Sequence, residues 1–253
     1  MIEWHYYYSP RYAVWHHILS HSLCDSKDFQ VVAHFRPQSL FSDLYKDPKK
    51  HFLGGNTVKY DILIPLLKDN PGKQYIFSDV DLIVKNPSGL AKYLEKFKSY
   101  DLVFMRERME DNDINPGIAL FKSSPAVIDF LERTVSLMIK ENIGDITIFH
   151  RLLPQFTGTY TTFDIPQIVQ SNMRVDPNSW FVCQALCSQK TYEANMAEKL
   201  LSACQHMDIM ALKPWISVET WNTFVAFHVA MPHSCKTFRS SITQETAAKF
   251  MIQ

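Results

Sequence analysis

The chain has 253 residues, 46% hydrophobic and 13% aromatic, which is the composition of a folded protein with a substantial core and excludes intrinsic disorder. Lys plus Arg and Asp plus Glu number 26 each, so no basic field exists to hold a nucleic-acid backbone, and a dedicated nucleic-acid binder is excluded. No run of about eighteen consecutive apolar residues occurs, so no membrane span is expected.

The first strand is predicted at 4–8, closed by Ser9-Pro10, and a helix at 10–24 follows from the spacing of Tyr12, Trp15, Ile18, Leu19 and Leu23. A second strand is predicted at 29–35. Residues 57–67 read as a helix entered from Gly54-Gly55-Asn56 and stopped at Asn70-Pro71-Gly72. A strand then runs from Gln74 into Asp79. A helix at 88–97 has Ser88 in the capping position, and strands are predicted at 101–105 and 117–121. A helix at 124–141 follows. Strands alternating with helices predict a mostly parallel sheet covered on both faces. A short helix is predicted at 145–153; beyond about residue 155 the pattern is irregular, with a strand at 160–165, a helix at 189–204 and a late strand at 221–229. No linker divides the chain, so one domain over 1–253 is expected.

The five cysteines, Cys24, Cys183, Cys187, Cys204 and Cys235, are odd in number and scattered, and read as reduced thiols. Residues 1–8 have neither a basic nor an apolar leader segment. A soluble, cytoplasmic protein is expected.

The residues with the clearest chemistry are Asp79 and Asp81, which break the apolar run Tyr75-Ile76-Phe77 and precede Leu82-Ile83-Val84. On a strand, positions i and i+2 share a face. Two carboxylates side by side repel unless a cation lies between them, and Mg²⁺ or Mn²⁺ prefers carboxylate oxygens. An exposed loop or helix cap is the alternative reading of an Asp-x-Asp. Asp111-Asn112-Asp113 has the same spacing within a polar run and reads as an exposed loop or lid. Dinucleotide and P-loop glycine motifs are absent. His17 and His21 lack the acid of a zinc protease, the cysteines lack Cys-x-x-Cys spacing, and no Gly-x-Ser-x-Gly elbow occurs.

Phe77-Ser78-Asp79-Val80-Asp81 after a helix carrying Lys59, with Asn115-Pro116-Gly117 downstream, resembles the metal-dependent GT-A glycosyltransferases, especially the glycogenin-like and galactosyltransferase-like group. The resemblance spans roughly residues 3–155 and a short segment around His228. It implies a GT-A-like, Rossmann-related α/β fold in which 1–155 is the nucleotide-sugar-binding half and 156–253 supplies the acceptor side and a C-terminal metal-ligand segment. It implies Mn²⁺ or Mg²⁺ as cofactor, a nucleotide-diphosphate sugar donor, commonly a UDP-sugar, and a glycan or glycoprotein acceptor.

By the same resemblance, Asp81 ligates the metal, Asp79 binds metal or the donor's ribose and sugar, and His228 is the third ligand. His228 also reads as a core histidine between Phe227 and Val229. Lys236 is the nearest match to a diphosphate-binding lysine, at longer spacing than the glycogenin-like pattern. Tyr8 and Ser9 occupy the uracil and ribose loop, and Tyr8 is otherwise one aromatic of a Tyr-Tyr-Tyr strand. Lys59 pairs with a phosphate or an acid, or lies on the polar face of its helix. Asn115 and Gly117 match an Asn-x-Gly that contacts donor sugar or acceptor. Asp145 matches the aspartate of an Asp-Gln pair whose glutamine is here Ile146; helix capping is its other reading. An inverting transfer needs a carboxylate base, for which Asp145 and Glu107 are the candidates, whereas a retaining one leaves that proton to the departing phosphate. Soluble transferases of this type resemble bacterial ones, or those that large viruses use on their own capsid proteins. The alternatives are a sugar-phosphate nucleotidyltransferase, for which Ser9-Pro10-Arg11 supplies no glycine-rich loop, and a non-catalytic GT-A-like binding domain.

Overall fold

The computed structural model describes residues 1–37, 51–107, 113–171, 176, 178–185, 192–203, 212–214 and 216–230; at 51–56, 192, 202 and 227–230 it describes the backbone alone. A six-stranded sheet has the order β2-β1-β3-β6-β5-β7, built from β1 (Ile2–Tyr8), β2 (Phe29–Phe35), β3 (Gln74–Ser78), β5 (Leu102–Arg106), β6 (Ile114–Lys122) and β7 (Tyr160–Thr162). Only β6 runs against the others, so the mostly parallel α/β sheet expected from the sequence is present. A second sheet, in the order β4-β9-β8, joins β4 (Leu82–Val84), β8 (Ile168–Gln170) and β9 (Val182–Gln184).

Strand alternation sorts the core into two layers. Ile76, Val103, Met105, Ile118 and Leu120 face one layer, with Trp4 of β1 and with Trp15 and Leu19 of α1 (Ala13–Leu23). Tyr75, Phe77, Leu102, Phe104, Ala119 and Phe121 face the other. There they meet Val58, Tyr60 and Leu63 of α2 (His51–Asp69), Phe130 and Leu131 of α4 (Pro125–Glu141), and Ile148 and Phe149 of α5 (Asp145–Leu152). The first layer also takes in Met196 and Leu200 of α6 (Tyr192–Ala203) and Trp221 and Phe224 of α7 (Val218–Ala230). Helices α6 and α7 thus pack into the same core as β1 and β3.

Several local expectations are corrected. Residues 221–229 form helix, not strand. Trp221, Phe224 and Val225 are buried at i, i+3 and i+4, and Ser217 accepts from the Thr220 amide at 3.2 Å, so helical spacing and a cap override the β-branched composition. Helix α2 is already helical at His51, so Gly54 and Gly55 lie inside it. Helix α3 (Pro87–Leu94) is capped by Asn86, which accepts from Gly89 at 2.9 Å, and not by Ser88; Pro87 takes the first helical position. Ser124 caps α4, and Asn142 closes that helix at φ 58°. Among the described residues no helix is long and apolar enough to cross a membrane, and Cys24 and Cys183 are free thiols.

Candidate functional site

Strand β3 ends at Ser78, so Asp79 and Asp81 lie in the turn that carries the chain from the large sheet to β4, not on the strand itself. Their convergence comes from backbone anchoring. The Asp79 amide donates to the Gly117 carbonyl at 2.7 Å, and the Asp81 carbonyl accepts from Ala185 at 2.9 Å. The strand end beneath them is fixed by a buried bond from the Trp4 indole to Ser78 Oγ at 2.8 Å. Asp79 Oδ2 accepts from Gln184 Nε2 at 3.0 Å. Asp81 is 6% exposed and its Oδ2 pairs with Lys199 Nζ of α6, while its Oδ1 is buried with no hydrogen-bond partner among the described residues.

Lys59 is not on a polar face. It is 5% exposed and pairs with Asp145 Oδ2 at 2.5 Å, an oxygen that also accepts from Tyr60 at 2.8 Å. Asp145 Oδ1 accepts from its neighbour's amide at 3.0 Å, and Gly144, not Asp145, caps α5. Three carboxylates, Asp79, Asp81 and Asp145, thus interact with two ammoniums, Lys59 and Lys199. Burial pushes the Asp79 carboxyl up to about 7; Lys59 opposes the rise, Asp81 and Asp145 add to it, and Lys199 also opposes it. Burial works against the Lys59 ammonium, but Asp145 and Asp79 outweigh it and hold that group above its usual range. Burial, with Asp145 next, raises the Tyr60 phenol well above its ordinary value.

Beside this cluster, β6 departs from the β5 ladder: Phe104 pairs with Ala119, but Met105 pairs with Asn115. Asn115-Pro116-Gly117 forms the irregular stretch, where Pro116 has no amide to lose. Asn115 Oδ1 accepts from the Gly117 amide at 2.6 Å, and its Nδ2 donates to Glu107 Oε2 at 2.5 Å. Gln170 Nε2 donates to the same Glu107 oxygen at 2.9 Å. A Cβ on Gly117 would stand 2.3 Å from Gln184 Nε2. The side-chain carbonyls of Gln170 and Gln184 are buried with no hydrogen-bond partner among the described residues.

At the end of β1, the Tyr8 ring stacks on His16, with centroids 4.0 Å apart and planes 4° off parallel. Ser9 is buried and its carbonyl accepts from Tyr12 at 2.9 Å. His228 falls in the last turn of α7, and its side chain, like all of Lys236 and most of Asp111-Asn112-Asp113, lies outside the described residues. Among the described residues no three His, Cys, Asp or Glu side chains are arranged to hold a metal. Two carboxylates with one orphaned oxygen nonetheless fit a Mg²⁺-like ion, which is commonly held by one or two carboxylates and completed by substrate phosphates.

The structure brings together Asp79, Asp81, Lys59, Asn115, Gly117, Glu107 and Asp145, which the sequence singled out, and joins to them Lys199, Gln184 and Gln170, which it did not. The sequence offers little signal for these three: Gln170 and Gln184 end short Ile-Val and Val-Cys runs that the structure shows as strands, and the burial of Lys199 on its helix is seen only in the fold.

No family model matches the sequence, and no curated protein matches it. In structure the chain is similar to a glycosyltransferase involved in the glycosylation of the major capsid of PBCV-1, with TM-score 0.56 and 10% identity over 80% of this chain and 98% of that one. It is also similar to the glycosyltransferase GlyE of Streptococcus pneumoniae TIGR4, with TM-score 0.50 and 14% identity over 84% of this chain and 63% of that one. The bifunctional glycosyltransferase WbbM matches with TM-score 0.50 and 9% identity over 85% of this chain and 51% of that one. The fold is therefore that of the GT-A glycosyltransferases.

Proposed function

We propose that this chain is a glycosyltransferase that moves a sugar from a nucleotide-diphosphate donor, a UDP-sugar in the first instance, to an acceptor hydroxyl on a glycan or glycoprotein. The observation that carries this reading is the Asp79–Asp81 pair with its orphaned oxygen, placed where the large sheet hands over to the small one on a GT-A scaffold. Asp79 and Asp81 would hold Mn²⁺ or Mg²⁺, with His228 as third ligand. The ion would supply Lewis-acid stabilisation of the leaving diphosphate.

The chain's own groups have distinct tasks. Tyr8 and Ser9 would flank the nucleoside end, and Lys236 is the candidate for the diphosphate by sequence alone. Asn115, Gly117 and Gln184 shape the sugar pocket; the lack of a side chain at Gly117 leaves room for Gln184 beside Asp79. Lys59 holds Asp145 and keeps the acid cluster near neutrality. Of the two candidate bases, Asp145 has both oxygens engaged. Glu107 is held at Oε2 by Asn115 and Gln170, so it is oriented while retaining a second oxygen, and it is the group we assign to accept the acceptor proton in an inverting transfer. The PBCV-1 neighbour makes a protein-linked acceptor the first to test.

The test is release of nucleoside diphosphate from a panel of sugar nucleotides with Mn²⁺, comparing the wild type with Asp81→Asn. Turnover of one donor that falls at least about 100-fold in the variant supports the reading. Absence of turnover or binding with every donor overturns it.

A further inference from the structure

Lys199 belongs to no part of the reading above, yet it occupies the centre of the acid cluster. Its side chain is 11% exposed, its ammonium pairs with Asp81 Oδ2, and it stands 5.6 Å from the Tyr12 ring centroid. The helix that carries it is fixed one turn earlier, where Met196 Sδ accepts from the Trp15 indole at 3.0 Å in the buried core. Lys199 is therefore delivered to Asp81 by packed structure and not by a roaming surface side chain. An ammonium sits about 2.8 Å from a carboxylate oxygen and a divalent ion about 2.1 Å from one. On the single buried carboxylate of Asp81 the two cations would stand within a few ångströms with little water to screen them.

We propose that Lys199 is the resident counter-ion of Asp81, and that a divalent cation and the Lys199 ammonium hold this carboxylate in mutually exclusive states. The metal-free site is then charge-paired and stable, and an entering ion must displace Lys199. The displaced ammonium remains tethered beside the place where the donor's phosphates bind. This rests on the reading of Asp79 and Asp81 as a cation site, but not on the identity of the donor.

The experiment uses Mn²⁺ alone, titrated calorimetrically into wild type, Lys199→Gln and Lys199→Arg. Glutamine can still donate to Asp81 without a charge, whereas arginine keeps the charge. Lys199→Gln is expected to bind Mn²⁺ at least about 10-fold more tightly than the wild type, since one full positive charge leaves a shared carboxylate; Lys199→Arg is expected to stay weak. Equal affinity in wild type and Lys199→Gln overturns the exclusion while leaving the cation site intact. Absence of Mn²⁺ binding in both overturns the cation site as well, and donor turnover in chelator then judges the transferase reading separately. If Lys199→Gln does not fold, the wild type labelled with ¹⁵N-lysine is titrated with Mg²⁺. An exchange-protected Lys199 Nζ signal that is lost on binding supports displacement, and one that persists at saturation refutes it.

Discussion

Gly117→Ala probes the packing of the site without touching a charge. The glycine's backbone lies outside the left-handed region, so an alanine costs nothing in conformation, and the effect is purely steric. The added Cβ would lie 2.3 Å from Gln184 Nε2 and 2.7 Å from its Cδ and Oε1. Ordinary contact begins at 3.4 Å, so the amide must move by about 1 Å. Its backbone cannot follow, because Gln184 pairs with Leu82 on one side and Gln170 on the other. The movement breaks the 3.0 Å bond to Asp79. A hydrogen bond to a charged group contributes about 1.5–3 kcal/mol, and overpacking a buried site costs about 1–3 kcal/mol. The clash falls on the mobile end of the Gln184 side chain and is relieved as the bond breaks, so the expected loss is mainly that of the bond, about 1.5–3 kcal/mol.

Urea unfolding measures this directly, with unchanged slope and a lowered midpoint. The decisive arm is the double variant. Gln184→Ala removes the obstructing amide, so adding Gly117→Ala to it is expected to cost under about 0.5 kcal/mol, giving a coupling of at least about 1 kcal/mol. A Gly117→Ala protein within about 0.5 kcal/mol of wild type, or strict additivity in the cycle, refutes the argument.

Lys59→Met strands the Asp145 carboxylate in the core and is expected to cost about 3–5 kcal/mol by thermal or urea unfolding; Lys59→Met with Asp145→Leu, which removes both charges, should be markedly milder, and equal losses would count against the pairing. His34 and His5 stack at 5.3 Å with ring nitrogens 3.0 Å apart, near Glu3, Lys73 and Arg36. Burial, then His5, then Arg36 depress the His34 imidazolium to about 4. The unfolded chain thus binds a proton first, and stability is complete above about pH 6.5 and lost as pH falls towards 4. Because His34 is partly exposed on a strand at the sheet edge, solvent screening limits the loss to about 1 kcal/mol, and midpoints measured at several pH values should fall less steeply in His34→Gln; an identical pH profile would exclude this linkage. Glu107→Gln is expected to lower the turnover of an inverting transfer about 10²–10⁴-fold with a melting temperature near that of wild type, and activity above a tenth of wild type would remove Glu107 as the base.

How far the sequence could be read depends on the range of the interaction. Strands β1 to β3 and helices α1 and α4 are legible because period-2 and period-3.6 patterns, Ser124 and Pro-Gly turns act within a few residues. The helix at Val218–Ala230 misread as strand because Trp, Phe and Val suit either state, and its deciding spacing needs the buried layer it meets. The acid pair was legible from its apolar surroundings. Its partners were not: Lys199 meets Asp81 across 118 residues of sequence, Gln184 meets Asp79 across 105, and Gln170 meets Glu107 across 63. No local pattern encodes such meetings, which are made by the topology that lays β9 beside β4 and α6 against α1.

That topology has a consequence for the charge of the site. Lys59 comes from the helix on one face of the large sheet, and Lys199 from a helix in the layer on the other. Each brings one ammonium to a cluster of three acids, leaving one negative charge in surplus, and burial answers it by raising Asp79 to about 7. A proton, an ammonium and a divalent ion are thus three ways of neutralising the same carboxylates. Whichever is bound, both core layers must be in place to supply the lysines, so a substitution that loosens either layer leaves acids buried without counter-charge. Loss of binding and loss of stability should therefore run together for core variants in α2 and α6, and separate only for residues such as Glu107, whose partners are neutral amides.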